Sequence, residues 1–185
     1  MKLVDNLHKL NIGQISVLSS NRRVQIDQLH LQPVLQNVSD SLMKKFNRSE
    51  LFDIYVPQIT LWGINLRNAL FYNKLNILKF QIVNPSISLE NFGTLRKFKK
   101  RKEFSEFFPL VFNYINDFNI KEINLPDGTF SWISHTKKGK TTSFDNEFSV
   151  KLQNFRLNQE ELDKKRLLFS DHFDISVKDQ IFQLS

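Results

Sequence analysis

The stretch FDIYVPQITL, residues 52–61, carries a clear strand signal. Phe52, Ile54 and Val56 recur at every second position, which is typical of a β-strand with one apolar face. The stretch FDISVKDQIFQL, residues 173–184, repeats the pattern Phe-Asp-Ile-x-Val and again places a Gln-Ile pair after it. We call this five-residue pattern the FDI motif, and its duplication suggests that one structural unit is used twice.

The order of elements before each FDI motif supports a repeat. A glycine, a predicted hairpin and a polar spacer precede both copies, beginning at Gly13 and at Gly128. We therefore predict a single segment of a longer chain, with approximate repeat units over 10–64 and 120–185 joined by a helix–strand–linker region over 65–119. Units of sheet that cannot close a core alone stack into elongated arrays.

The composition is that of an ordered protein about one domain in size. The chain has 185 residues, of which 41% are hydrophobic and 24% charged, and it holds 18 Phe against 3 Tyr and 2 Trp. Phe has no polar handle, so it belongs in a core or on a surface for apolar partners. The absence of cysteine excludes disulfides, thiolate metal sites and cysteine nucleophiles.

Most of the remaining apolar segments also alternate with period two. Residues 14–26 alternate on both sides of the polar SSNRR, which predicts a hairpin with a short turn that ends at Pro33. Residues 76–92 predict a strand interrupted at Pro85, and Asp127-Gly128 is a turn signal between paired strands.

Three short segments favour helix instead. We predict helices at Leu66–Tyr72 and around Leu110–Ile115, and a helical turn around residues 39–46. The predicted fold class is therefore mainly β with short helices, arranged as an elongated antiparallel sheet.

The apolar alternation slips by one residue at three places, 26–29, 56–59 and 152–155. A step of three moves the next apolar side chain to the opposite face unless a bulge corrects it. One such step is an ordinary bulge or strand end, but three favour a common bend, as in a curved sheet. Pro57 lies at one step and lacks the ladder donor, which favours an edge or a bulge.

The formal charge of +7 favours anionic neighbours. Six basic residues crowd one run: Arg96, Lys97, Lys99, Lys100, Arg101 and Lys102. The run is interpreted first as an exposed, solvated linker and second as a patch for anionic lipid headgroups, worth about 1 kcal/mol per basic residue. Nucleic acid is the third alternative and ranks lower, because the Phe residues fall at strand positions apart from the basic clusters.

Catalytic signatures are missing from the sequence. The four histidines are scattered, the single glycines form no phosphate loop, and there is no G-x-S-x-G elbow. Asp53 and Asp174 recur in the two FDI motifs, but their strand positions favour solvent-facing charges. We therefore predict a protein that is not an enzyme and needs neither metal nor cofactor.

Residues 57–89 resemble the AsmA-like family of bacterial envelope proteins, which includes the TamB relatives. The shared pattern is an apolar strand, a glycine, a short Leu-bearing helix and a strand that ends in Pro-x-Ile-x-Leu. Here its positions are Ile59, Leu61, Gly63, Leu66, Leu70, Leu75, Ile77, Phe80, Ile82, Pro85, Ile87 and Leu89. The resemblance extends over residues 10–160 and consists of degenerate apolar spacings.

The resemblance implies a long sheet bent into a half-pipe whose apolar inner face shields lipid acyl chains, at the periplasmic side of the inner membrane in the bacterial cell envelope. Family members usually carry an N-terminal membrane anchor, which this sequence lacks. The residues expected on the inner face are apolar side chains of the predicted strands: Phe52, Ile54, Val56, Phe80, Ile82, Phe130, Trp132, Phe148, Val150 and Leu152.

The expected function is thus a non-enzymatic lipid-binding or lipid-transfer module. Its expected partners are phospholipid or another acyl-chain lipid, a membrane surface, and adjacent segments of a longer parent chain. One alternative is a structural or adhesive β-repeat with a filled core and no ligand. A second alternative is a basic nucleic-acid-binding domain.

The basic run generates the first testable prediction. If residues 96–102 contact headgroups, binding to anionic vesicles should weaken as salt is added, because the charges are screened. Vesicle sedimentation over a salt series measures this. Equal binding to neutral vesicles would show instead that the run is only a linker.

Overall fold

A computed structural model describes residues 7–35, 38–46, 49–92, 116–136, 139–158, 160–161 and 169–178. Its strands are β1 (His8–Asn11), β2 (Gln14–Leu18), β3 (Arg23–Pro33), β4 (Glu50–Trp62), β5 (Lys74–Val83), β6 (Ser86–Asn91), β7 (Asp117–Thr136), β8 (Gly139–Leu157) and β9 (His172–Val177), and its helices are α1 (Asp40–Lys45) and α2 (Leu66–Tyr72). The prediction of a mainly β fold with short helices is confirmed.

All nine strands belong to one sheet. Its order is β1-β3-β4-β5-β7-β8-β9, with β2 also paired to β3, and with β6 paired to both β4 and β7. The pairs are antiparallel except that β7 runs parallel to β5 and to β6. The sheet is therefore mixed. The predicted antiparallel pairing holds for every strand pair except β5–β7 and β6–β7.

Several local predictions are confirmed. The hairpin of β2 and β3 pairs Ile15 with Ile26 and Val17 with Val24. Helix α2 has the predicted bounds; Asn65 caps its first turn by accepting the Asn68 N–H at 3.1 Å. The predicted helix around Leu110–Ile115 and the basic run at 96–102 lie outside the described residues.

The turn predicted at Asp127-Gly128 is wrong. Strand β7 continues through these residues to Thr136, and its pairing with β8 shifts register between Leu125 and Gly128. Asp127 has a left-handed φ of 51°, so this is a bulge, which uses the same residue types as a turn. A Cβ on Gly128 would lie 2.7 Å from Cζ of Phe148, so only glycine leaves room for that ring.

Pro57 lies inside a central strand and not at a sheet edge. Residues 50–55 of β4 pair with β6, and residues 58–62 pair with β5. Pro57 thus falls beside the break between β5 and β6, at Asn84-Pro85. Its missing donor costs the ladder little, because Pro57 has no register partner among the described residues of β3, β5 or β6.

Five of the left-handed residues in the described ranges fall on two lines that cross the strands. Line A joins register-matched positions in four neighbouring chain segments: Gln28 (φ 55°), Pro57, Asn84 (φ 43°) and Asp127 (φ 51°). Line B joins a second set of positions that lie level with one another, further along the same strands: Gly63 (φ 70°), Leu78, Lys121 and Asn154 (φ 52°). The three steps seen in the sequence fall on these lines, two on line A and one on line B.

The steps keep apolar side chains on one face. Phe80 and Ile123 lie three residues beyond Ile77 and Ile120, which regular alternation would put on opposite faces. They nevertheless pack against the buried cluster of Ile64, Ile77 and Ile120. In β5 and β7 the apolar side chains on either side of a step of three therefore pack into the same cluster.

A substitution at Asn154 tests how much the left-handed residues on lines A and B contribute to stability. The side chain of Asn154 is exposed, so replacement should act through the backbone alone. Because a left-handed conformation costs an L-residue with a bulky side chain about 1–2 kcal/mol, Asn154→Val should lower the free energy of unfolding in urea by about that amount. Asn154→Gly should be close to neutral.

Lys151→Val is the matched control, since Lys151 is an exposed residue of the same strand with no positive φ. Equal losses in the two valine variants would contradict a role for the left-handed backbone.

Candidate functional site: an apolar face on the sheet

Two rows of apolar side chains cross seven strands between lines A and B. The first row follows register partners throughout: Val17, Val24, Leu61, Phe80, Ile123, Leu152 and Phe173. The second row is Ile15, Ile26, Ile59, Ile82, Leu125, Val150 and Ile175. Ile82 and Leu125 lie level with each other in this row, because the residues before them, Gln81 and Asn124, are partners in the parallel pair of β5 and β7. We call these two rows the apolar face.

The row between them, on the other side of the sheet, is entirely polar. Its members are Ser16, Gln25, Thr60, Gln81, Asn124, Lys151 and Asp174. Neighbouring polar side chains bond to one another: Gln58 donates to Asp27 at 3.1 Å, and Lys79 pairs with Glu122 at 3.3 Å. Two cations, Arg23 and Lys79, lie 5.7 and 5.9 Å from the Trp62 ring centroid. The sheet is therefore amphipathic in its residue types, although Thr60, in the polar row, is itself buried at 1% exposure.

The apolar face is partly covered, since Val24, Leu61, Phe80 and Ile123 pack against the buried cluster of Ile64, Ile77 and Ile120. Ten of its side chains are half-buried and the four at the edges are exposed, so the described residues bury none of them fully. By contrast, Ile77 and Ile120, just beyond line B, are 4% and 2% exposed. Continuous apolar patches on protein surfaces are typical of interaction sites.

The ten residues predicted for the inner face fall into two groups. Phe80, Ile82, Val150 and Leu152 belong to the apolar face, and Phe148 continues their side of β8 over Gly128. The other five lie beyond line A, where apolar partners again align: Ile54 with Ile87 and Phe130, and Phe52 with Leu89 and Trp132, with Val56 beside Leu29. Nine of the ten are half-buried and Val56 is buried. Their sharing one concave surface stays a prediction.

Sequence reasoning left ten members of the apolar face out of the site. They are Ile15, Val17, Val24, Ile26, Ile59, Leu61, Ile123, Leu125, Phe173 and Ile175. Each lies in a segment that alternates with period two, and Phe173 and Ile175 belong to the second FDI motif. The alternation was a usable signal, but the alignment of one strand with the next was not visible in it.

Three of the four histidines make specific contacts. His30 Nε2 lies 2.8 Å from Asp53 Oδ1, and His135 Nε2 lies 2.7 Å from Glu90 Oε2. His8 is buried and its Nε2 accepts the Phe52 N–H at 3.0 Å. Asp53 is thus paired, whereas Asp174 is exposed. Within the described ranges no cluster of three His, Cys, Asp or Glu is suited to hold a metal ion.

A cavity of about 410 Å³ lies along line B, away from the apolar face. Polar groups such as Asn76, Asn119 and Arg156 contribute much of its lining. Asn119 donates to Asn76 at 3.1 Å, so these amides satisfy each other across β5 and β7. None of the residues that line this cavity belongs to the apolar face.

Comparison with known proteins gives no family for this chain, since no family model and no curated protein matches it. In the part of the chain that is described, no helix is both long and apolar enough to cross a membrane.

Glu90 joins β6 to the hairpin of β7 and β8. Lys140 Nζ donates to Glu90 Oε1 at 2.6 Å, while the His135 ring stacks on Phe92 with centroids 4.1 Å apart. Burial acts to raise the pKa of Glu90, but hydrogen bonds and charge from Lys140 and His135 outweigh it and hold the pKa below its ordinary value of 4.5. The ionised form is therefore stabilised by folding.

A depressed pKa in the folded state has a defined consequence for pH. The stabilisation is complete above the unfolded pKa of 4.5 and is lost as pH falls through the lower folded value. Urea unfolding between about pH 6 and pH 3 should therefore show falling stability, and Glu90→Gln should reduce that slope. Lys140→Met should reduce it in part. A wild-type protein and a Glu90→Gln variant that lose stability in parallel would contradict this assignment.

Proposed function

We propose that this chain is a non-enzymatic lipid-binding or lipid-transfer module whose apolar face shields acyl chains. One observation carries the proposal: two unbroken rows of seven apolar side chains, none fully buried, lie opposite a fully polar row. Hydrocarbon is the ligand that such a surface suits, because its burial returns about 25 cal/mol per Å² and needs no directional hydrogen bonds.

The dimensions of the rows suit a lipid tail. With strands ~4.8 Å apart, a row across seven strands is about 29 Å long. A bilayer's hydrocarbon core is about 30 Å thick, so one tail occupies roughly half that length. An extended acyl chain lying across the strands would therefore contact several rungs of both rows.

Lines A and B support a bent shape as part of the proposal. They run across the strands, parallel to the rows, and lie on either side of them. Bulges and left-handed residues bend the strands that carry them. Bends along both lines would raise the segments beyond them as walls, with the apolar face as the floor of a half-pipe.

The location and partners follow from the resemblance to the AsmA-like family and are proposed with it. The chain would act at the bacterial cell envelope, on the periplasmic side of the inner membrane, with phospholipid as ligand and without a cofactor. Its polar side would face water, since Gln25, Gln81 and Asn124 lie there.

A structural β-repeat is the second candidate, and the buried clusters favour it. Ile64, Ile77 and Ile120 pack closely without any ligand, and Met43, Leu51 and Phe92 do the same beside α1. If the apolar face were covered in the same way by protein, it would be a core and not a binding surface.

One substitution separates the two candidates. Ile82→Glu, or Val150→Lys, should abolish phospholipid binding and leave secondary structure largely intact, because an open face lets the new charge reach water. In a filled core the same unpaired charge would unfold the protein at a cost of several kcal/mol. Native mass spectrometry of co-purified lipid, together with thermal melting, measures both effects.

Gln81→Glu is the matched control, since it adds the same charge to the polar side of the same strand; it should retain lipid. The proposal is contradicted by wild-type protein that carries no phospholipid, or by an Ile82→Glu variant that melts far earlier yet keeps its lipid per folded molecule.

A further inference from the structure

The two ends of the apolar rows are edge strands of an unusual kind. In the described part of the chain, β2 pairs with β3 alone and β9 with β8 alone. Natural edge strands are commonly protected by proline, lysine or bulges. Neither β2, with sequence QISVL, nor β9, with sequence HFDISV, contains proline or lysine, and the one acidic side chain on them is Asp174 in β9.

The apolar side chains on these edges are the most exposed of their rows. Ile15 and Val17 are 58% and 56% exposed, and Phe173 and Ile175 are 41% and 50% exposed. Their partners further into the sheet are half-buried. A strand added at either edge would therefore bury apolar surface and also pair free ladder groups.

Strand directions make the two edges complementary. Strand β2 runs parallel to β4, since both are antiparallel to β3. Strand β9 runs parallel to β7 and β5, and β5 is antiparallel to β4. It follows that β2 and β9 point in opposite directions. Two copies placed side by side in the same orientation would bring β9 of one copy antiparallel to β2 of the next.

A single antiparallel register then continues both apolar rows. Placing Val17 opposite Phe173 puts Ile15 opposite Ile175, because each step forward along one strand is a step back along the other. The same register places Ser16 opposite Asp174 and so continues the polar row. A slip by one residue would put apolar against polar on both faces.

We propose that β9 of one copy adds to β2 of a second copy in this register. The first FDI motif, in β4, is the internal precedent, since it has paired strands on both sides, whereas the second, in β9, has one open side in the described residues. The contact is heterologous, so each copy keeps a free β2 or β9 edge for the next. The proposal does not depend on whether the apolar face binds lipid.

The chain contains no cysteine, so a crosslinking test has no native thiols that compete. Ser16→Cys protein mixed with Asp174→Cys protein should form a disulfide-linked dimer under mild oxidation. Directly opposed residues lie about 4.5–5.5 Å apart, within the range that a disulfide requires. Ser16→Cys mixed with His172→Cys is two residues out of register and should yield about tenfold less dimer, because its Cα separation exceeds about 7 Å.

A second test measures association of the wild-type protein directly, so that it does not depend on the folding of the cysteine variants. Wild-type protein should show concentration-dependent association by sedimentation velocity, Ile175→Lys should abolish it, and Leu70→Lys, at an exposed apolar residue of α2, should not. Circular dichroism checks that each variant is folded. The proposal is overturned if the wild-type protein stays monomeric, or if the two cysteine mixtures crosslink equally.

Discussion

The structure depends on register. A β-sheet sends alternate side chains to opposite faces, so an apolar face exists only if every strand aligns its apolar positions with those of its neighbours. Here the alignment holds across seven strands, from Val17 to Phe173, and a slip of one residue in any of them would interrupt both apolar rows and the polar row between them. Amphipathicity is therefore a property of the assembled sheet more than of any one strand.

Keeping that alignment over long strands requires irregular residues at defined places. Gln28 and Asn154 adopt left-handed backbone where the apolar pattern steps by three, and Asp127 does so at the bulge in β7. Asn and Asp tolerate this conformation better than other residues with side chains. In β4 the step of three falls at Pro57, which lies opposite the break between β5 and β6. Lines A and B are thus where the strands correct their alternation.

A single amphipathic sheet has an unsatisfied side that must bury against something. Under the proposed function, fluid hydrocarbon would cover the centre of the apolar face without directional groups, and such a ligand requires no sharp binding motif. The edges differ, because the edge strands β2 and β9 present backbone groups with which an added strand can form ladder hydrogen bonds. The two proposals, lipid on the apolar face and a second copy at the edge, therefore concern different surfaces of the sheet.

Sequence reasoning succeeded where the signal was local. The β2–β3 hairpin, the break at Pro85 and helix α2 depend on alternation, proline and short-range periodicity, all of which lie within a few residues. It failed at Asp127-Gly128 because a turn and a bulge use the same residues, and only the continued pairing of β7 with β8 distinguishes them. It anticipated the steps at 26–29 and 152–155, since each is visible within one strand.

Strand β7 lies parallel to β5 and β6 and so aligns Ile123 with Phe80. This pairing joins segments more than 40 residues apart. No local pattern specifies such a pairing; it arises from the mutual burial of Ile77, Ile120 and their neighbours. The amino-acid pattern thus established which residues are apolar on each strand, whereas long-range packing established which strands meet and so brought those residues into one face.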